Sequence, residues 1–89
     1  MPEVEQLMYQ VYAIYNRSAE RMYIGQTEAI EDRLEAHNEH RLGGYTSRFQ
    51  GKWELIYTES AATRSEALTR ERQLKSHKGR DFLKSYIPE

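Results

Sequence analysis

Tyr12 and Tyr23 stand eleven positions apart, Arg33 and His37 follow four apart, and Glu71 lies alone farther along the chain. These five side chains carry the chemistry a phosphodiester requires. Two phenols and an imidazole can exchange protons, a guanidinium presents a planar fork that matches phosphate oxygens, and a carboxylate completes the set. They fall where a chain of 89 residues would be expected to place core side chains. Each has an ordinary reading when taken alone. Tyrosine is favoured in sheets, and a glutamate usually ends on an exposed helix face. Arg33 could form a helical ion pair with Glu28 or a neighbouring acid, worth a few tenths of a kcal/mol, and His37 could close an amphipathic helix near solvent. The joint pattern, with Glu71 between Leu68 and Leu74, favours a site.

The elements that must position these residues can be read from periodicity. Tyr9 to Asn16 and Arg21 to Gln26 are rich in aromatic and β-branched residues, and the short polar link Arg17-Ser18-Ala19-Glu20 predicts a hairpin. Alternation puts Tyr12 with Ile14 on one face, and Tyr23 with Gly25 on one face. Whether the two tyrosines share a face depends on register. Thr27 is the expected N-cap of a helix over about 28–39, whose acidic first turns suit the helix dipole. Its inward stripe is Ile30, Arg33, Leu34 and His37. Residues 40–52 read as a basic, glycine-containing loop with one helical turn around Tyr45 to Phe49. Trp53 to Glu59 predicts a third strand with Trp53, Leu55 and Tyr57 on one face and Ile56 on the other. Thr63-Arg64-Ser65-Glu66 matches a capping box that opens a helix to about Lys78, stopped by Gly79. Phe82, Leu83, Tyr86 and Ile87 predict a short terminal helix. The expected fold is α+β, a small three-stranded, mostly antiparallel sheet flanked by helices in the order β-β-α-β-α-α. Residues 1–8 read as an N-terminal extension and 9–89 as a single domain.

Without a cysteine to staple it, so short a chain must be held by its aromatic and aliphatic residues. The absence of cysteine is compatible with a reducing cytoplasm. No apolar run reaches membrane-spanning length, and Met1 to Gln6 is acidic and polar, unlike a signal peptide. The expected location is therefore soluble and cytoplasmic. The net charge is −1, but it is segregated: −5 over residues 1–39, +1 over 40–63 and +3 over 64–89. A basic stripe can attract phosphate locally although the molecule is nearly neutral, because charge is screened within about 8 Å at physiological salt. Tight nonspecific DNA binding is not expected.

The ordered set Val11-Tyr12, Tyr23-Ile24-Gly25, Arg33, His37, Tyr45-Thr46, Trp53 to Glu59, and Glu66-Ala67 leading to Glu71 and Lys75 resembles the GIY-YIG nuclease superfamily. The likeness is to its small stand-alone bacterial members, related to the nuclease module of the excision-repair incision subunit, and it covers most of the chain. The three letters Tyr-Ile-Gly alone would carry nothing; the constellation carries the resemblance. Gln10 replaces the glycine that names the first motif, and Ala13-Ile14-Tyr15 is a second way of placing that motif, so both Tyr12 and Tyr15 stand as its tyrosine. The separate DNA-recognition domain of larger members has no counterpart here, which makes specific cutting of a long site improbable.

The resemblance implies a divalent-metal-dependent endonuclease that hydrolyses DNA, with structured or damaged DNA as the expected substrate and repair as its setting. Glu71 would hold magnesium or manganese, Tyr12 would act as general base, Tyr23 as its partner, Arg33 on the phosphate and His37 in support. A phenol is a poor base at neutral pH, so Arg33 and the metal are expected to lower the Tyr12 pKa. Arg41, Arg48, Lys52, Arg72, Lys75 and Lys78 are candidates to track the DNA backbone, with Lys75 expected to face the Glu71 cleft; otherwise they form a solvated surface. His37 and His40 have the spacing of a helical zinc pair, but no further ligand completes a tetrahedral set. The alternative function is a non-catalytic nucleic-acid- or partner-binding module that retains the fold. A homodimer or a targeting protein is a third arrangement compatible with the sequence.

Overall fold

The computed structural model describes residues 8–88. The expected extension over residues 1–8, apart from Met8, and the polar stretch Met1 to Gln6 lie outside the described residues. Strands β1 (Tyr9–Asn16), β2 (Arg21–Thr27) and β3 (Trp53–Ala61) form an antiparallel sheet in the order β2-β1-β3. Helices α1 (Ile30–Asn38), α2 (Arg64–Lys75) and α3 (His77–Lys84) cover it, and a single 3-10 turn, Thr46–Arg48, interrupts the loop before β3. The α+β architecture and its element order are those expected. Among the described residues no helix is long and apolar enough to cross a membrane.

The central strand explains the layering. Val11, Tyr12, Ala13 and Ile14 are all buried, so β1 needs cover on both faces. Val11 and Ala13 pack with Ile24, Ala67, Leu74 and Leu83, the side of α2 and α3. Tyr12 and Ile14 pack with Trp53 and, at the margin, Tyr23, Ile30, Leu34 and Phe49, the side of α1. Burying each large aliphatic side chain this way stabilises the fold by about 1.5–3 kcal/mol.

Five local expectations are corrected. Ala13 pairs with Tyr57 and Ile14 with Leu55, leaving Ile56 as the extra residue of a bulge. The bulge turns Tyr57, with Ile56, towards the Val11 cluster while Trp53 stays in the Tyr12 cluster, so strict alternation fails in β3. Helix α1 begins two residues later than expected: its N-cap is Ala29 without a side-chain bond, and the Thr27 hydroxyl instead accepts from the Ala29 N–H at 3.1 Å in the preceding turn. Helix α2 does not reach Lys78. Ser76 ends it by donating its hydroxyl to the Gln73 carbonyl, and caps α3 by accepting from the Gly79 N–H. Gly79 is therefore not a helix stop but an interior residue of α3, where α3 crosses α2 so closely that a Cβ would lie 2.3 Å from the Gln73 carbonyl oxygen. The terminal helix accordingly starts at His77, earlier than expected. The expected cap at Thr63 does form: its hydroxyl accepts from the Glu66 N–H at 3.1 Å, and the Glu66 carboxylate accepts from the Ala62 N–H.

Candidate active site

Hairpin register settles the first geometric question. Tyr12 lies opposite Gly25 and Ile14 opposite Tyr23, which puts Tyr12 and Tyr23 on the same face, diagonal to one another, with ring centroids 6.3 Å apart. Tyr15 pairs with Met22 one position out of phase and belongs to the other face. Gly25 is constrained by this packing: a Cβ there would approach the Tyr12 hydroxyl oxygen to 2.8 Å and the Tyr23 ring to 3.1 Å. The glycine of Tyr-Ile-Gly thus makes room for Tyr12 to lie flat across the neighbouring strand.

Helix α1 brings its buried imidazole onto the same spot. The Tyr12 hydroxyl and His37 Nε2 are 2.9 Å apart, and His37 Nδ1 is 2.9 Å from the Thr46 hydroxyl. Thr46 is itself buried in the 3-10 turn, and its carbonyl accepts from the Trp53 indole N–H at 3.3 Å. The Tyr23 ring packs on His37 with centroids 5.1 Å apart. With both nitrogens engaged, His37 is not free for a metal pair with the exposed His40. Burial, then the nearby Arg33 charge, lowers the His37 pKa from 6.5 to about 4. His37 is thus neutral at physiological pH, with one nitrogen able to accept a proton.

Burial acts in the opposite sense on Tyr12. It raises the phenol pKa well above its ordinary value, Tyr23 and Glu71 add to the rise, and Arg33 opposes it. The lowering expected from Arg33 is present, but desolvation outweighs it in the free protein. The charges of Arg33 on α1 and Glu71 on α2 are both close enough to bear on the Tyr12 phenol. Glu71 lies on α2, one turn from buried Ala67 and Leu74. Its carboxylate is mostly shielded and pairs with the Lys75 ammonium, one turn on, at 2.7 Å.

Arg33 forms no ion pair among the described residues, unlike the helical pair its sequence neighbours allowed. It is half-buried and lines an open depression with Thr27, Asp32 and Arg41. The other candidate backbone contacts are dispersed. Arg41 pairs with Glu39 at 2.7 Å, Arg48 and Lys52 are exposed on the loop before β3, and Arg72 and Lys78 are exposed on α2 and α3. Among the described residues no three histidines or carboxylates cluster in a way that could cage a metal. Glu71 offers a carboxylate as a hard oxygen donor, which suits a cation that keeps most of its waters, such as magnesium.

Sequence reading missed the residues that hold this arrangement in place. Asn38, at the end of α1, clamps the start of β3 by accepting from the Trp53 N–H at 2.7 Å and donating to the Trp53 carbonyl at 3.1 Å. Buried Asn16 ties the hairpin to the loop by donating to the Gln50 carbonyl and accepting from the Ala19 N–H. Thr46 stood in the ordered set of the sequence, but its bond to His37 was not foreseen.

Comparison with known proteins agrees with this fold. The chain has no match among curated proteins. Among solved structures it is similar to the solution NMR structure of the UPF0213 protein BH0048 from Bacillus halodurans, at 24% identity and a TM-score of 0.51, over 88% of this chain and 83% of that one. That likeness is one of fold. The model of the GIY-YIG catalytic domain matches residues 8–86, a span that holds both tyrosines, the α1 pair and Glu71, and the chain therefore belongs to the GIY-YIG catalytic-domain family, whose fold is of the nuclease type.

Proposed function

We propose that the protein is a divalent-metal-dependent endonuclease that hydrolyses DNA phosphodiester bonds, with structured or damaged DNA as its substrate. The observation that carries this reading is the chain Tyr12–His37–Thr46, which ends at a phenol on which the charges of Arg33 and Glu71 both bear. A merely structural tyrosine has no need of a buried histidine on one side and a cation and carboxylate on the other.

In this reading the Thr46 hydroxyl accepts the Nδ1 proton of His37, which leaves Nε2 to accept from the Tyr12 hydroxyl. Arg33 grips two non-bridging oxygens of the scissile phosphate with its planar fork, as a lysine would not. Tyr23 holds the attacking water over Tyr12. As that water's oxygen bonds to phosphorus, its proton passes to the Tyr12 oxygen while the phenol proton passes to His37 Nε2. The bond from phosphorus to the leaving oxygen breaks, and that oxygen takes a proton from solvent. A phosphate on Arg33 offsets the positive charge that helps to hold the His37 pKa low, so substrate makes the imidazolium easier to form. A divalent metal on Glu71 would supply further charge stabilisation at the phosphate and acidify a bound water. Lys75 occupies that carboxylate in the free protein and would have to yield it.

The test is cleavage of supercoiled plasmid and of a branched-DNA panel with magnesium, with manganese and with chelator, comparing wild type with Glu71→Ala. Nicking that needs metal and is lost in Glu71→Ala is the expected result. Absence of cleavage in every condition, with DNA binding intact, would overturn it in favour of the non-catalytic module.

A further inference from the structure

Beside the site, at the hairpin end of the free β2 edge, lies a cavity of about 400 Å³ with an unusual lining. Tyr15, Met22 and Ile87 give it an apolar floor; Arg21, Arg80 and Lys84 bring positive charge against the single acid Glu20; and Tyr45 forms a wall. The volume falls within the range of small-molecule pockets and suits one nucleotide better than a peptide segment. Arg80 uses its Nε on the Lys75 carbonyl at 3.1 Å, which leaves its terminal nitrogens for another acceptor. Lys84 is loosely paired with Asp81 at 3.5 Å, and both side chains are exposed. The Arg21 guanidinium lies 5.6 Å from the Phe49 ring centroid, which orients it without using its hydrogen bonds.

Tyr45 links this cavity to the chemistry. It is 39% exposed, and it stacks on Tyr23 with centroids 6.2 Å apart and planes 22° from parallel. Phe49 braces it edge-on at 5.1 Å. Tyr23 in turn packs against Tyr12 and His37. An unbroken row of rings therefore runs from the candidate base to the cavity, with its outermost ring fixed and partly bare. A fixed, bare aromatic beside several cations is the arrangement by which proteins hold an unpaired base and its phosphate.

We propose that this cavity binds one unpaired nucleotide of the DNA substrate, with its base stacked on Tyr45 and its phosphate held by Arg80, Lys84 and Arg21. The inference rests on the endonuclease reading above and deepens it. It gives a physical reason for preferring structured or damaged DNA: a base held in a duplex stack cannot enter, whereas a bulged, flapped or mismatched one enters at little unstacking cost.

Binding can be measured apart from cleavage, in chelator, with oligonucleotides that carry 2-aminopurine as a single-nucleotide bulge, the same base fully paired, and 2-aminopurine deoxynucleotide free in solution. Wild-type protein is expected to quench the bulged probe saturably, the paired probe at least about tenfold more weakly, and the free nucleotide weakly. Tyr45→Ala should abolish the quench and Tyr45→Phe should retain it. Lys84→Glu and Arg80→Glu, surface changes that leave the ring row intact, should each weaken binding of the bulged probe about tenfold. Equal affinity for bulged and paired probes, or normal quenching with Lys84→Glu and Arg80→Glu, overturns the proposal. If the free nucleotide binds as tightly as the bulge, the cavity is a mononucleotide site and the DNA assignment falls. Selective binding without cleavage of any substrate retires the endonuclease reading alone; cleavage without selective binding retires the cavity alone.

Discussion

His37 loses its proton readily because burial and the Arg33 charge both disfavour the imidazolium. Its pKa of about 4 in the folded protein lies below the 6.5 of an unperturbed histidine, so the unfolded chain binds that proton more tightly. Acidification from about pH 6.5 towards 4 should therefore destabilise the native state, by up to about 3 kcal/mol from this residue. Below pH 4 both states carry the proton and the effect saturates. His37→Gln cannot titrate and should lack this component. Urea midpoints at pH 7 and pH 4.5 check it: an equal loss of stability in both proteins would show that His37 is not held neutral by the fold. Tyr12 complements this behaviour. Its raised pKa keeps the phenol protonated throughout the neutral range, so activity must depend on an acceptor behind it and not on a standing phenolate. Tyr12→Phe should retain the fold, since the ring supplies the packing, yet lower cleavage by about 10²–10⁴-fold, as single-turnover rates would reveal. Residue chemistry was the most legible part of the sequence. Gly25 stands in the motif because the Tyr12 hydroxyl leaves no space for a Cβ, and Arg33 and His37 share a helix face by spacing alone.

At the scale of elements, the α2–α3 corner is a sharp test of the packing. Gly79 is inside a helix, where alanine is normally favoured by about 1 kcal/mol. Against that, a Cβ would meet the Gln73 carbonyl oxygen at 2.3 Å and the Leu74 Cα at 2.4 Å, both backbone atoms that cannot swing aside. Steric cost should exceed propensity, and Gly79→Ala should destabilise by about 1–3 kcal/mol or more. For a domain of this size that corresponds to a fall in Tm of roughly 5–20 °C, whereas a rise in Tm would mean the corner is looser than described. The sequence misled at this corner for a physical reason: a glycine after a helical run commonly ends a helix, and only the close crossing of a second helix makes it an interior requirement. The Ile56 bulge is of the same kind, since a one-residue slip is set by the partner strand and leaves no mark on alternation. Asn16 and Asn38, and the tie of Thr46 to His37, escaped for a related reason. Their hydrogen bonds join segments distant along the chain, whereas strands, hairpin and the α2 cap are dictated by neighbours and could be read.

Considered whole, the molecule is a thin sheet covered on both faces, and its site draws on both α1 and α2. Tyr12 and His37 meet on the α1 side, and the Glu71 charge, from α2, bears on Tyr12. Charge follows the same division: acids dominate residues 1–39 and bases residues 64–89. Several cations are already committed, Arg41 to Glu39, Lys75 to Glu71, Arg70 to Glu59 and Arg17 to Glu54. The others are dispersed: Arg48, Lys52, Arg64, Arg72 and Lys78 are exposed on the loop before β3, on α2 and on α3, and only Arg33 and the three around the cavity, of which Lys84 is loosely held by Asp81, lie at the proposed contacts. Each phosphate neutralised contributes a slope of about −0.9 to the dependence of log affinity on log salt for duplex DNA and about −0.7 for single strands. About four contacts therefore predict a slope near −3, shallow for a DNA-binding protein. Anisotropy titrations in chelator from 50 to 200 mM salt test this directly. A slope of −6 or steeper would require a broad basic surface that this charge distribution does not provide. A shallow slope would mean that selection depends on the shape of the DNA, with the field of the protein contributing little to its choice of site.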